Sequence, residues 1–161
     1  MGWTILSAGR WKSGALKAAF EDYAHRLRPP LALKEIEAKG RLGGQTLREA
    51  EAALLLAAVP PGAAIVALDE GGKALSSAAL AARLGQWRDQ GRADIAFLNG
   101  GADGLLPDLC AKADLTVSHG AMTWPHPLVR VMAMEQLYRA ITILSGHPYH
   151  RVRSCRDREA G

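Results

Sequence analysis

Two short apolar runs constrain this chain most. Ala64-Ile65-Val66-Ala67-Leu68 is followed by Asp69-Glu70-Gly71-Gly72-Lys73, and Ile95-Ala96-Phe97-Leu98 by Asn99-Gly100-Gly101-Ala102-Asp103-Gly104. Neither run shows the apolar–polar alternation of a strand with one wet face, and both end in turn residues. Strands of this kind are buried on both faces, as in a parallel sheet covered by helices on each side. The flanking segments fit. Residues 3–7 make a short apolar strand that ends near Gly9. Residues 13–26 place Ala15, Leu16, Ala19, Phe20 and Tyr23 at helical spacing, and Pro29-Pro30 follows. Residues 31–38 are a more charged strand candidate. Thr46 with Glu49 predicts a capping box for a helix over 47–59, which Pro60-Pro61-Gly62 stops. Ser76 or Ser77 can cap a helix that runs to Gln90, with Gly91 after it. A short helix over 107–112 and a strand over 115–117 come next. The alternation predicts an α/β fold, a mostly parallel sheet flanked by helices.

At 161 residues the chain has room for one domain with a real core. A net charge of +4 permits an anionic partner without demanding one. The two cysteines, Cys110 and Cys155, suggest neither a disulfide framework nor a zinc site, and a reducing, cytoplasmic setting is expected. No metal is expected, because the five histidines form no ligand pair at helical spacing. The N-terminus lacks a signal-peptide pattern, and the longest apolar stretch, residues 50–59, is too short for a membrane span.

In such sheets ligands bind where loops leave the carboxyl ends of strands. Three loops qualify: residues 69–73, 99–104 and 118–126, all rich in Gly or Pro. Gly100-Gly101-Ala102-Asp103-Gly104 is neither a dinucleotide fingerprint nor a phosphate-binding loop, and alone it reads as a tight turn. Thr123-Trp124-Pro125-His126-Pro127 has a histidine between two prolines, so its backbone is held extended before a helix that Pro127 can open. Leu128, Val131, Met132, Leu137, Ile141 and Leu144 can share an apolar stripe over 127–145, and Arg130, Glu135 and Arg139 ride on the same helix. Gly146 breaks it. His147-Pro148-Tyr149-His150-Arg151 follows, then a basic tail with Arg153, Arg156 and Arg158. No nucleophile elbow or Ser-His-Asp arrangement is present.

Three stretches resemble a known family: Thr123-Trp124-Pro125-His126-Pro127-Leu128-Val129-Arg130-Val131; Glu135 with Leu137-Tyr138-Arg139-Ala140; and His147-Pro148-Tyr149-His150-Arg151. Ala67-Leu68-Asp69 with Gly72-Lys73, and Leu98 with Gly100-Gly101 and Gly104-Leu105, extend the likeness upstream. Together they resemble the ribosomal RNA large-subunit methyltransferase H family of the SPOUT methyltransferases. The resemblance covers the chain to about Arg151. It implies a SPOUT fold with a C-terminal trefoil knot, a single domain over 1–151, and a flexible extension over 152–161. It implies S-adenosylmethionine as methyl donor and N3 of a pseudouridine in helix 69 of 23S ribosomal RNA, within the assembled ribosome, as target. It implies a homodimer whose sites borrow from the partner chain, and no membrane. Carried over, the donor would be held by Leu68, Gly100, Gly101, Gly120, Ala121, Met122, Thr123, Trp124 and Pro125. The candidates for proton handling and RNA contact are His126, Arg130, Glu135, Arg139, Tyr149, His150 and Arg151, with the general base left open among His126, Glu135, Tyr149 and His150. The chain departs from the family pattern at Asn99, at Ala102-Asp103 and beyond Arg151. Two rivals are a SPOUT enzyme for a different RNA and a Rossmann-like oxidoreductase; the second lacks the glycine fingerprint. A non-catalytic RNA-binding module is a third.

Overall fold

The computed structural model describes residues 2–28 and 30–151. Pro29, the extension over 152–161, its arginines and Cys155 lie outside the described residues. Ten elements alternate: β1 (Trp3–Ala8), α1 (Ala15–Arg26), β2 (Ala32–Ile36), α2 (Gly44–Ala58), β3 (Ala64–Ala74), α3 (Ser77–Asp89), β4 (Ile95–Asn99), α4 (Pro107–Lys112), β5 (Leu115–Ser118) and α5 (His126–Leu144). The five strands form one parallel sheet in the order β2-β1-β4-β3-β5.

Both apolar runs lie inside the sheet, and the pleat divides their side chains between two cores. Val66, Ile95 and Phe97 join Ile5, Leu84, Met134 and Leu137 under α1, α3 and α5. Ala67, Ala96 and Leu98 join Leu6, Leu55 and Leu109 under α2 and α4. This two-sided cover explains why neither run alternates with polar residues. No helix among the described residues is long and apolar enough to cross a membrane.

Several local expectations need correction. The Thr46–Glu49 capping box does not form: α2 starts at Gly44, three residues before the expected start, and Gly43 caps it without a side-chain hydrogen bond. The Ser76 cap does form, its hydroxyl accepting from Ala79 N–H at 3.1 Å. Residues 69–73 are not simply a loop, because β3 resumes pairing with β5 at Lys73 opposite Val117. The expected stripe on α5 is only partly the inner face: Leu137 is fully buried, and Val131, Ile141 and Leu144 pack against the core from its margin. The buried residues of α5 are Arg130, Ala133, Met134, Leu137, Ala140 and Thr142, whereas Leu128, Val131, Met132, Ile141 and Leu144 stay half-exposed. Small Ala133 and Ala140 bring the helix close to the core, so bulk did not mark the inner face. Its end is a Schellman cap: His147 N–H donates to Thr142 O at 2.8 Å, Gly146 N–H to Ile143 O at 3.2 Å, and Gly146 has φ +71°.

Candidate active site

Three chain reversals at the carboxyl edge of the sheet enclose a cavity of about 960 Å³. The first is the excursion of β3. After Leu68 the register with β5 shifts, and Asp69, Glu70, Gly71 and Gly72 leave the ladder. The Asp69 carboxylate accepts the Gly71 N–H at 2.9 Å. Gly72 packs on the β5 backbone so tightly that a Cβ would lie 2.7 Å from the Thr116 carbonyl carbon.

The second reversal follows β4. Asn99 is buried, and its Nδ2 donates to Ser7 Oγ at 3.1 Å and to His126 O at 3.2 Å. This polar residue thus ties β1, β4 and the start of α5 together at the cavity. Beyond it, Gly104 N–H donates to Gly101 O at 3.0 Å, and Gly104 takes φ +75°. A Cβ on Gly100 would meet the Gly104 carbonyl carbon at 2.6 Å. This turn closes on itself with bare backbone, and only glycine fits there.

The third reversal joins β5 to α5. The Ser118 hydroxyl accepts from Gly120 N–H at 3.1 Å and donates to Gly120 O at 2.7 Å, and Gly120 has φ +110°. Thr123 Oγ1 then donates to Glu70 Oε2 at 2.8 Å, linking the third reversal to the first.

Of the residues expected to hold a donor, Leu68, Gly100, Gly101, Gly120, Met122, Thr123, Trp124 and Pro125 line this cavity, and Ala121 does not. His126 lines it as well. Asp69, Glu70 and His119, from two of the loops expected to bind a ligand, also face it, and sequence reasoning missed Arg48 on α2 and Cys110 on α4. Arg48 and Cys110 sit on helices with no motif around them, and only the topology brings them here. Burial shapes their charge. It holds the imidazoles of His119 and His126 below the usual histidine range, with Arg130 adding to the effect at His126. It pushes the Cys110 thiol up, and the nearby Asp69 adds to that. The cavity therefore presents neutral imidazole rings and backbone, with the Arg48 guanidinium and the Asp69, Glu70 and Asp103 carboxylates on its wall.

A second group forms at the far part of α5. Glu135 Oε1 accepts from Arg139 Nε at 3.0 Å, from Arg139 Nη2, and from the Tyr149 hydroxyl at 3.0 Å. The Arg139 guanidinium stacks 4.8 Å over the Tyr149 ring, and that ring meets Tyr138 edge-on at 4.7 Å. His150 Nδ1 lies 3.4 Å from Arg139 Nη1. Burial, then hydrogen bonds to Tyr23 and Glu135, push the Tyr149 phenol well above its usual range. Glu135 also borders a smaller cavity of about 560 Å³, which shares His119 and Gly120 with the larger one. Arg151 is exposed. None of Glu135, Arg139, Tyr149, His150 and Arg151 lines the large cavity. Within one chain the two halves of the expected site are separate.

Arg130 belongs to neither half. It is 1% exposed, and it donates to Ala8 O at 2.6 Å, to Gly9 O at 2.7 Å and to Glu35 Oε1 at 3.1 Å. Trp11 covers it at 4.9 Å, and Trp11 N–H donates to the same Glu35 oxygen. The guanidinium clasps the ends of β1 and β2 to the first turns of α5.

A family model described as predicted SPOUT methyltransferase matches residues 1–150. The chain is 57% identical over 147 residues to ribosomal RNA large subunit methyltransferase H of Rhodospirillum centenum, covering 91% of this chain and 97% of that protein. The protein of that name from Paramagnetospirillum magneticum is 52% identical over the same shares, and that from Ruegeria pomeroyi 50% identical over 92% and 98%. The sequence that builds this three-loop cavity matches these relatives nearly end to end, and the chain belongs to the ribosomal RNA large subunit methyltransferase H family of the SPOUT methyltransferases.

Proposed function

We propose that this chain transfers a methyl group from S-adenosylmethionine to N3 of a pseudouridine in large-subunit ribosomal RNA. It does so as a cytoplasmic homodimer acting on the assembled ribosome, with residues 1–151 as one catalytic domain threaded as a trefoil knot. The observation that carries this reading is the cavity, which gathers eight of the nine residues assigned to the donor from three separate loops.

The walls fit such a ligand. About 960 Å³ is ample for a nucleoside with an amino-acid arm. Bare backbone at Gly100 and Gly101 offers N–H and C=O groups to a heterocycle, and Leu68, Met122 and Trp124 offer apolar surface. Asp69 and Glu70 suit the positive charges of a sulfonium and an ammonium group. The donor, when bound, supplies an already activated methyl group, so the chain's work is alignment and exclusion of water. N3 of the target base carries a proton that must leave. We assign the tail to that end of the reaction. Arg139, stacked on Tyr149, presents a flat cationic face to a splayed base. His150 is placed to accept a proton, and Arg151 to hold an anionic base or a phosphate. Tyr149 keeps its proton at neutral pH and acts as a platform rather than a base. Arg130 positions the cavity edge and touches no substrate. Because tail and cavity are apart in one chain, the tail serves the cavity of the partner.

Two measurements test the reading. Calorimetry with S-adenosylhomocysteine should show binding to the folded protein, and none at millimolar ligand would overturn the donor assignment. Mass spectrometry of large-subunit RNA from a strain lacking this gene should show one pseudouridine without its methyl group. An unchanged modification profile would overturn the target.

A further inference from the structure

The mechanism leaves one buried carboxylate without a task. Glu51, in the middle of α2, is only 8% exposed. Acidic side chains are almost never so buried unless something pairs with them. No ion pair among the described residues includes it. Its Oε2 has no hydrogen-bond partner. What it meets is the backbone of the turn after β4: a Cβ on Gly101 would lie 2.9 Å from Glu51 Oε1 and 3.1 Å from Oε2.

Arg48 stands one turn earlier on the same face of α2. Its Nη2 donates to Leu105 O at 2.5 Å. The two side chains therefore grip the turn from one rigid helix, near its start at Gly101 and just past its end at Leu105. Between those points the turn holds itself by the Gly104–Gly101 bond. A wall made of glycine backbone has no side chains to fix its shape, and a site must be held to within about half an ångström to be productive. Glu51 holds the start of the turn by packing its carboxyl group against Gly101, and Arg48 holds the end through its bond to Leu105 O.

We propose that Glu51 and Arg48 are positioning residues for the methyl donor, α2 clamping the glycine turn that forms one wall of its cavity. The inference rests on the reading of that cavity as the donor site. The balance of forces on Glu51 agrees with it. Burial raises its carboxyl pKa, the Gly101 N–H pulls it back down, and the charge of Asp103 raises it again. Glu51 is the cleaner probe of the two, since it does not itself line the cavity, whereas Arg48 does.

The test is calorimetric binding of S-adenosylhomocysteine to the whole protein and to folded Glu51→Leu, with thermal melts as control. Glu51→Leu removes the acceptor and keeps the bulk. It should weaken binding about tenfold or more, raise the donor KM and leave the ribosome KM unchanged. Glu51→Gln, which keeps an acceptor for Gly101, should recover most of the affinity. A purely structural role would lower the melting temperature of Glu51→Leu and leave the affinity of the folded protein at the parent value, and that result would overturn the inference. If Glu51→Leu does not fold, Glu51→Met, which also removes the acceptor and keeps the bulk, decides by the same readout: weakened binding supports the clamp, and parental binding refutes it. If the unsubstituted protein binds no S-adenosylhomocysteine, the cavity reading itself fails and the clamp with it.

Discussion

Arg130 shows how far a residue's neighbours decide its work. Its place in a helix rich in functional motifs suggested a cation for phosphates, but its Nη1 and Nη2 groups bond Ala8 O, Gly9 O and Glu35, and its Nε is buried with no partner. No sequence pattern announces that two strand-end carbonyls converge on that point. Arg130→Met should strip its donor from the buried Ala8 carbonyl and from the half-buried Gly9 carbonyl, and the chain should lose about 2–5 kcal/mol of stability. Urea denaturation measures this, and a loss below about 0.5 kcal/mol would refute the clasp. His119 makes a second case. Its Nε2 is buried with no partner, and burial holds its folded pKa below the ordinary 6.5. The unfolded chain then binds more protons than the folded one as pH drops through that value, so stability present above it is lost below it. His126 adds to the effect in the same direction. The urea midpoint should fall between about pH 7.5 and pH 5.5, and His119→Leu should flatten that fall. An equally steep fall in the variant would show that the proton is taken up elsewhere.

Among the elements, β3 and β4 were legible in the sequence because burial on both faces writes an uninterrupted apolar run. The start of α2 was not, since a capping box is only two residues and backbone geometry can ignore it. Nor was the inner face of α5, where alanines pack inside and larger residues stay half-exposed. The three loops around the cavity were legible as Gly- and Pro-rich strand ends, but their closure depends on contacts such as Thr123 with Glu70 that span 53 positions. The cap at Gly146 has a functional consequence. It turns the chain back so that Tyr149 lands on Glu135 and Arg139 instead of extending the helix. Deleting residues 149–161 should therefore leave the cavity and donor affinity close to normal while methyl transfer falls by orders of magnitude. Deleting only 153–161 should do much less. Single-turnover transfer to ribosomes with the two truncations decides this, and near-normal activity in the longer truncation would strip the tail of its role.

For the whole molecule, the separation of tail and cavity argues for a two-fold dimer, the commonest closed assembly. The half-exposed Val131, Met132 and Ile141 of α5 give such a dimer apolar surface to cover. Light scattering should return twice the mass of one chain at micromolar concentration. A sharper check mixes two inactive variants. Gly100→Val drives a side chain into the Gly104 backbone and spoils the cavity, whereas the 149–161 deletion spoils the tail. Mixed dimers should recover transfer that neither variant has alone. A mixture no more active than its components would place the complete site within one chain. A net charge of +4 is a slight electrostatic footprint for RNA, so ribosomes should be methylated far better than a bare stem-loop transcript. Equal turnover on both would contradict this.

The excursion in β3 bears on what descent and engineering can do with this chain. Residues 69–72 leave the ladder between two fixed feet, Leu68 opposite Val117 and Lys73 opposite the same residue. The tip at Glu70 and Gly71 is exposed or nearly so, while Gly72 is jammed against Thr116. Lengthening the tip costs little, because closure entropy grows only slowly with loop length. Shortening it would drag Lys73 out of register and pull the edge strand with it. Length variation at this point should run in one direction, toward growth. The gap between residues 70 and 71 is accordingly the place where a reporter peptide could be spliced beside the cavity without unpicking the sheet.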